Sequence, residues 1–366
     1  MVAALAVIVG APGGIASAAV ARLTVVSTPV LTRPAVLNAV ALAAPANGWA
    51  VGSVGLSPLA GSGVDTLIEH WNGSGWTVAP TPAVSSSDEA LTGVAAFSPT
   101  DAWTVGWQLR YGGYSQAVPI LMHWNGSGWA RKAPPSTAVP TAIAGSGPDD
   151  IWAVGGGAFE HFDGAVWRSV PAAVPVGSVT GISVVSPSDA WAVGSINAQP
   201  GGYSDLAHPY VVHWDGSAWT RVGVPHPATD ARLSAVSASS PTDVWAVGSA
   251  LDPATQTTAG FAVHFDGTRW ARVAVPSLGG LNGLSGVTTA GPANAWTVGS
   301  REGFTSNGNA VLRTLAEHWD GHQWRIVTSP NDSSQDNYLT AVTLERTGQV
   351  WTVGGDGGTL VQTHVP

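Results

Sequence analysis

Histidine and aspartate recur along this chain at near-constant spacing, and both residue types can bind metal ions or transfer protons. Each of six copies of one motif begins with His and continues with Trp or Phe, Asn or Asp, Gly, two variable residues and Trp. The six histidines are His70, His123, His161, His213, His264 and His318. Repeats arranged around a ring would hold these side chains far apart, so we predict no metal site. We expect each His to be hydrogen-bonded and to tie strands together, because buried polar groups must be paired.

Eight aspartates also recur in these repeats and have a structural explanation. Local bonds from the side chain to the backbone explain why Asp is favoured in turns. Those that precede a Trp by two residues are Asp101, Asp150, Asp189 and Asp243, and those in the His motif are Asp163, Asp215, Asp266 and Asp320. We therefore do not count them as candidates for catalysis.

The acidic residues outside the repeats are scattered, whereas hydrolysis of a glycosidic bond needs two carboxylates roughly 5 to 9.5 Å apart. The carboxylates expected in loops are Asp65, Asp88, Glu89, Asp205, Asp230, Asp252 and Glu302. The sequence shows no Ser-His-Asp arrangement, phosphate-binding loop or His-x-x-x-His spacing, and its lack of Cys excludes thiol catalysis. We assign no catalytic residue and no cofactor, and an enzyme is the less favoured interpretation.

The repeats predict the elements that would position any site. A second half-motif occurs seven times and places Gly three residues after a Trp and apolar residues nine and twelve before it. Its apolar run, turn residues and Trp-containing run predict one β-hairpin. In the His motif, Asn-Gly or Asp-Gly between aromatic runs is typical of a hairpin with a type I′ turn. Each unit then has four antiparallel strands, and seven units predict an all-β, seven-bladed β-propeller.

The two ends of the chain predict how the ring closes. The seventh unit stops after three strands, and residues 23–29 match the missing fourth strand, with Leu23 in place of the closing Trp. If one residue is inserted, the end of the chain aligns with the first unit so that His364 takes the place of His70. An N-terminal strand that completes the last blade would remove an exposed edge and couple the termini.

These motifs resemble two kinds of known repeat protein. Asp189-Ala-Trp191-Ala-Val-Gly194 and His213-Trp-Asp-Gly216-Ser-Ala-Trp219 are similar to the repeats of Trp-rich propeller proteins in secreted bacterial sequences, and to tectonin repeats. The resemblance covers roughly residues 23–366. Tectonin-type proteins are lectins or interaction modules, so the resemblance implies a binding role. Tectonin blades are compact, however, whereas five units here carry long insertions between the second and third strands.

Composition favours a folded protein outside the cytoplasm. Only 10% of residues are charged, Gly and Pro are abundant, and 18 Trp supply a bulky core. Residues 1–21 resemble a signal peptide, with an apolar run and small-x-small cleavage motifs but no Lys or Arg before the run. We expect a secreted or cell-surface protein in which residues 22–366 form one propeller domain.

Charge and hydropathy limit the partners. A net charge of −9 disfavours nucleic acid and anionic membranes, and no segment is long enough to span a bilayer. The absence of Cys means that packing and ring closure must hold the fold. We expect a monomer.

Residues that vary between units mark the predicted binding site, because loops on a rigid scaffold carry function. Strand parity places the inter-blade linkers and the connections between second and third strands on one face, here called the insertion face. Both tight turns of each blade lie on the opposite face, the tight-turn face. In insertions two, four and six the candidates are Trp107, which follows the Gly expected to end its strand, and Arg110, Tyr111, Tyr114, Tyr203, Asp205, His208, Arg301, Glu302 and Phe304.

We predict a non-enzymatic binding module whose ligand is a glycan or cell-wall polysaccharide. A protein-interaction scaffold or sensor domain is the first alternative, and a polysaccharide-active hydrolase is the second. Repeated shallow sites between blades would favour a lectin, and a single asymmetric patch would favour a protein partner. A deep central pocket with two carboxylates would favour the hydrolase.

Overall fold

A computed structural model describes residues 21–55, 63–82, 88–111, 115–172, 177–197, 206–276, 278–332 and 334–366. In these ranges, 28 β-strands form seven four-stranded antiparallel sheets, and no helix is present. The fold is a seven-bladed β-propeller, as the repeats predict. All of the signal-peptide-like segment except its last residue lies outside the described residues.

The first six blades are continuous in the chain, and their strands follow one another from the axis outward. Blade one contains β2 (Ala35–Ala44), β3 (Asn47–Val54), β4 (Asp65–Trp71) and β5 (Trp76–Val78). Blade two contains β6 (Asp88–Ser98), β7 (Asp101–Arg110), β8 (Gln116–Trp124) and β9 (Trp129–Arg131). Blade three contains β10 (Ala142–Gly147), β11 (Asp150–Gly155), β12 (Ala158–Phe162) and β13 (Trp167–Val170).

The remaining blades repeat this order. Blade four contains β14 (Ser178–Ser186), β15 (Asp189–Asn197), β16 (Ala207–Trp214) and β17 (Trp219–Arg221). Blade five contains β18 (Ala231–Ser240), β19 (Asp243–Leu251), β20 (Thr258–Phe265) and β21 (Trp270–Val273). Blade six contains β22 (Asn282–Gly291), β23 (Asn294–Phe304), β24 (Ala310–Trp319) and β25 (Trp324–Ile326). Blade seven contains β26 (Tyr338–Leu344), β27 (Val350–Gly355), β28 (Thr359–His364) and, outermost, β1 (Thr24–Val26).

A β-bulge in the innermost strand explains the Gly that follows each Trp. In blade one, the register shifts between Leu37 and Ala39 opposite Gly52, and five other blades shift at the same place. A Cβ atom on Gly52 would lie 1.9 Å from the carbonyl oxygen of Val36. Only Gly allows the second strand to approach the bulged strand this closely.

In four of these six blades the extra residue of the bulge links one blade to the next around the axis, and Thr141, just before the inner strand of blade three, makes the same link. Asn38 Nδ2 donates a hydrogen bond to the carbonyl oxygen of Leu91 at 2.8 Å, and Thr340 Oγ1 donates to that of Leu37 at 2.6 Å. Equivalent bonds run from Thr92 to Pro140, from Thr141 to Val179 and from Thr180 to Leu233. In these five bonds the acceptor is the residue twelve positions before the Trp of the next repeat. The bond therefore joins a recurring position of the repeat in one blade to the bulge region of its neighbour.

Trp and His of neighbouring strands stack in six blades. Their ring centroids are 4.3 to 4.6 Å apart, and the His Nε2 atom bonds to the Asp or Asn that begins the second strand, as for His264 and Asp243 at 2.7 Å. The prediction of structural histidines is therefore confirmed. Where Asn replaces Asp, burial lowers the pKa of His70 and His318.

We explained both sets of Asp by local bonds to the backbone. This explanation is correct for the Asp residues of the His motif and wrong for those that begin the second strand. Asp101, Asp150, Asp189 and Asp243 bond to a His from the third strand. Asp215 accepts bonds from the backbone of Ser217 and Ala218, and with the Ser217 hydroxyl these lower its pKa to about 2. The turn is a four-residue loop with one positive φ, at Gly216. The hairpin is confirmed, but its predicted type I′ turn is wrong.

The N-terminal strand closes the ring as predicted. Thr24 pairs with Thr363 and Val26 with Val361, so β1 is the outer strand of blade seven. Leu23 is fully buried and packs with Trp296 of blade six, as the closing Trp does elsewhere. The short outer strands limit the exposed edge.

The predicted alignment of His364 with His70 is wrong by one residue. Trp351 pairs with Thr363, as Trp49 pairs with His70, so Thr363 occupies the His position without an insertion. His364 stacks on Trp296 of blade six at 5.3 Å instead. Without a His, the Trp351 Nε1 atom donates to Glu345 Oε1 at 2.8 Å.

Three blades bury a Glu one residue before the His position. The seven residues there are Glu69, Met122, Glu160, Val212, Val263, Glu317 and Gln362, all buried. Burial raises the pKa of Glu69 to about 7 and that of Glu317 to about 8. The nearby Thr359 hydroxyl offsets only part of the effect on Glu69, and no described residue makes a well-formed hydrogen bond to either oxygen of that carboxyl. Burial also raises the pKa of Glu160.

Truncation of Leu23 tests how far the fold depends on ring closure. Leu23→Ala removes a fully buried side chain between blades six and seven. We expect it to lower the free energy of unfolding by about 2 to 4 kcal/mol, measured by urea denaturation followed by Trp fluorescence. Val25→Ala on the same strand, where the side chain is 56% exposed, is the control. Equal effects of the two substitutions would contradict this account.

Replacement of Glu69 tests the cost of a buried carboxyl at the junction of blades seven and one. Between pH 4.5 and about 7, the unfolded chain loses this proton and the folded chain keeps it. The free energy of unfolding therefore falls as pH rises through that window, by about 3 kcal/mol in total. Glu69→Gln should match the wild type at pH 4 and exceed its stability by this amount at pH 8. Parallel pH profiles in urea denaturation would contradict the prediction.

Candidate functional site

Extended hairpins rise from the insertion face. In four blades the second and third strands stay paired for at least three residues past the repeat Gly. Their last paired residues are Arg110 and Gln116 in blade two, Asn197 and Ala207 in blade four, Leu251 and Thr258 in blade five, and Phe304 and Ala310 in blade six. The expectation of loops is wrong for these segments, because strand pairing satisfies backbone groups that a loop would leave to water.

Three of the four predicted residues of blade two lie in the described ranges. Trp107 lies within β7, where it pairs with Pro119, so the expectation that Gly106 ends the strand is wrong. Trp107 is half-buried, whereas Arg110 and Tyr111 are exposed. The Tyr111 hydroxyl donates a hydrogen bond to Asp88 Oδ2, and this bond raises the pKa of the phenol.

Blade four presents a pair of histidines. The ring of His208, in β16, lies 4.7 Å from that of His226 in the following linker. The Nδ1 atom of His208 is buried, and no described residue bonds to it. Tyr203 and Asp205 lie outside the described residues, as does Tyr114 of blade two, so their place in a binding site stays a prediction.

The hairpin of blade six forms an exposed apolar patch around one carboxylate. Glu302 pairs with Leu312, and its backbone N–H donates to the carbonyl oxygen of Leu281 at 2.6 Å, so the three residues form a row across the sheet. Residues directly opposite in antiparallel strands share a face, as do residues two apart on one strand. Leu281, Phe304 and Leu312 are 53%, 64% and 38% exposed. These residues and Glu302 form the blade-six patch.

The other predicted residue of blade six points away from this patch. Arg301 pairs with Arg313 on the opposite face of the hairpin and is half-buried. Its Nη1 atom reaches the carbonyl oxygen of Glu302 at 3.5 Å. Arg301 therefore belongs to the base of the hairpin rather than to its exposed apolar surface.

The structure does not bring the predicted residues into one site. The described ones belong to blades two, four and six, and blades three and five separate them. Sequence reasoning also missed Leu281 and Leu312. An apolar residue in a linker otherwise rich in Gly, and one on the outward face of an extended hairpin, are the signals that could have revealed them.

The described loop carboxylates outside blade six are engaged in the fold. Arg131 Nη2 donates to both oxygens of Glu89 at 2.8 and 2.7 Å, and Arg33 bonds to Asp65 at 2.5 Å. Asp88 Oδ1 accepts the backbone N–H of Val64, in blade one, at 2.8 Å. The same kind of bond, from a backbone N–H to a side-chain oxygen, joins Ala207 to Asp230, Gly260 to Asn282 and Leu312 to Asp336. These bonds hold the entering strands of blades two, five, six and seven against the preceding blade.

Three cavities in the described regions lie in different parts of the ring. One, of about 610 Å³, lies at the outer edge between β1 and β5. A smaller one of about 180 Å³, the blade-five cavity, lies on the insertion face and includes Asp230, Arg232, Ser249 and Thr258. A third, the axial cavity, lies on the tight-turn face at the ends of inner strands and has one acidic residue, Glu345. The pair of carboxylates that would favour a hydrolase is not present in these three cavities.

Within the described ranges, no cluster of three or more His, Cys, Asp or Glu side chains is arranged to hold a metal ion. In the same part of the chain, no helix has the length and apolarity needed to cross a bilayer.

Comparison with known proteins gives the fold but no family. No protein-family model matches the chain, and no curated protein matches it. Among solved structures, YCF48 bound to D1 peptide is 15% identical with a TM-score of 0.59, over 96% of each chain. The WD40 β-propeller domain of Doa1 is 8% identical with a TM-score of 0.52, over 94% of this chain and 97% of that one.

An enzyme shares the same architecture. The GH74 xyloglucanase from Xanthomonas campestris is 13% identical with a TM-score of 0.58, and the match covers 93% of this chain and 53% of the enzyme. These likenesses show the propeller fold alone, which is compatible with a binding or interaction role and with several other functions.

Disruption of the Arg131–Glu89 pair tests the structural role of the loop carboxylates. The Glu89 side chain is 4% exposed, so Arg131→Gln leaves a buried carboxylate without its arginine. We expect the free energy of unfolding to fall by about 3 kcal/mol, and Glu89→Gln in the same chain should restore part of it. The control, Arg168→Gln, breaks an ion pair in which the arginine is 67% exposed and should cost less than about 1 kcal/mol. Equal losses in urea denaturation would contradict this role.

Proposed function

We propose that this protein is a binding module that recognises an extended polypeptide through the blade-six patch. The observation that carries the proposal is the row of Leu281, Glu302 and Leu312 beside Phe304, on a hairpin that stands out from the ring. Grouped, exposed apolar side chains are typical of protein interaction sites. The surrounding propeller holds them on paired strands, which reduces the entropy lost on binding.

The chemistry of the patch limits the partner. Leu281, Phe304 and Leu312 would bind apolar side chains, and the Glu302 carboxylate between them would pair with a Lys or Arg. A segment in which apolar residues flank a basic one fits both features. The net charge of −9 would also attract such a segment.

The comparisons support this kind of partner only in part. One protein with the same fold is described as bound to a peptide, and a patch confined to one blade is the asymmetric arrangement expected for a protein partner. We also propose that the protein acts outside the cytoplasm, secreted or at the cell surface, on the pattern of residues 1–21.

A glycan remains the second candidate because of the blade-five cavity. This cavity combines the Asp230–Arg232 pair, Nη2 to Oδ2 3.3 Å, with Ser249 and Thr258. Its volume of about 180 Å³ suits a small polar group rather than a drug-sized ligand. It would hold one sugar residue at the end of a chain.

Selection of peptides from a phage-displayed library on the full chain tests the leading proposal. We expect selected peptides to carry apolar residues around a Lys or Arg and to bind saturably. Phe304→Ser with Leu312→Ser should weaken them at least about tenfold, because truncated central anchors dominate binding energy. Ile326→Ser, 48% exposed on the outer strand of the same blade, is the control and should bind normally.

A glycan array probed with the same protein distinguishes the two candidates. Saturable glycan binding that Arg232→Gln abolishes and Arg168→Gln leaves intact would establish the second candidate. Peptide binding that the blade-six substitutions do not weaken would overturn the leading proposal.

A further inference from the structure

The axial cavity lies on the tight-turn face, opposite both candidate surfaces of the proposed function. The ends of the inner strands of blades seven, one, two and three surround it, and its volume is about 610 Å³. This volume is within the range of sites that bind small molecules. Because it is formed by the turns that end these strands, its shape is set by the ring itself.

The walls of the axial cavity are apolar and polar in about equal parts, and five side chains supply most of the apolar part. These are Leu42, Pro45, Phe97, Pro148 and Leu344. Two of these residues are prolines, which limit the freedom of the turns that carry them. A ligand that enters would therefore meet an apolar surface, already formed, on about half of the wall.

Arg346 lines the axial cavity and has no partner among the described residues. Within the described residues, the guanidinium of Arg346 makes no hydrogen bond or ion pair, and the residue is exposed. The adjacent Glu345 forms no ion pair with it, because its Oε1 accepts from Trp351 at 2.8 Å and its Oε2 from Thr347 at 3.1 Å. Ser146 is also engaged, since its hydroxyl donates to Asp150 at 2.5 Å.

We propose that the axial cavity binds a small organic acid with an apolar body, whose acidic group is held by Arg346. A guanidinium presents its donors as a planar fork that matches a carboxylate with two parallel hydrogen bonds. The apolar part of the walls would cover the rest of the ligand. An unpaired positive charge beside a partly apolar cavity, in a protein of net charge −9, fits such a ligand.

Titration of the full chain with 8-anilinonaphthalene-1-sulfonate, an aromatic anion that fluoresces in apolar sites, tests the proposal. We expect saturable binding of one molecule per chain. Arg346→Gln should weaken it at least about tenfold, since a hydrogen bond to a charged group is lost. Naphthalene-2-carboxylate should displace the probe, whereas naphthalene-2-carboxamide should not.

Two further variants locate the site. Arg269→Gln removes the same charge from an exposed position in an outer turn of the same face and should bind the probe normally. Ala43→Trp places a large side chain in the cavity wall and should abolish binding in a protein that keeps its circular dichroism spectrum. Binding unaffected by Arg346→Gln or by Ala43→Trp, or equally weakened by Arg269→Gln, would overturn the proposal.

Discussion

The bulge in the innermost strand is the constraint on which the rest of the ring depends. In six blades it turns one polar side chain of the inner strand out of register, and at four junctions that side chain bonds to the next blade. The second strand must then pass close to the bulge, which only Gly at positions such as Gly52 and Gly106 permits. The Gly that recurs three residues after each repeat Trp is therefore a steric requirement of the bulged inner strands.

Packing between blades builds outward from this inner ring. Seven buried apolar clusters, each shared by two adjacent blades, lie between the sheets. The stacked Trp and His rings fix the outer strands, and the Asp at the start of the second strand orients the His. The repeated residues thus serve the structure, and residues outside the repeats can differ between blades.

The sequence predicted the fold far better than the site. Periodic residues such as Trp49 and His70 make contacts that recur in at least six blades, so their spacing predicts strand order and ring closure. Phe304 and Leu312 meet through the register of a single hairpin, and no repetition reveals that register. Arg346 was missed for the same reason, because its cavity is formed by turns that are distant in sequence. The error at His364 was also one of register, since spacing alone does not show which residue faces Trp351.

The closing strand also determines how the molecule responds to a pulling force. Arg22 lies beside His364, whose Nδ1 atom is 3.0 Å from the Arg22 carbonyl oxygen, so the two ends of the described chain leave blade seven together. Tension applied between them would load the three paired residues of β1 one after another, as in a zipper, rather than all at once. Blade seven, which closes the ring, would therefore open first under such tension, before the hairpins of the insertion face are loaded.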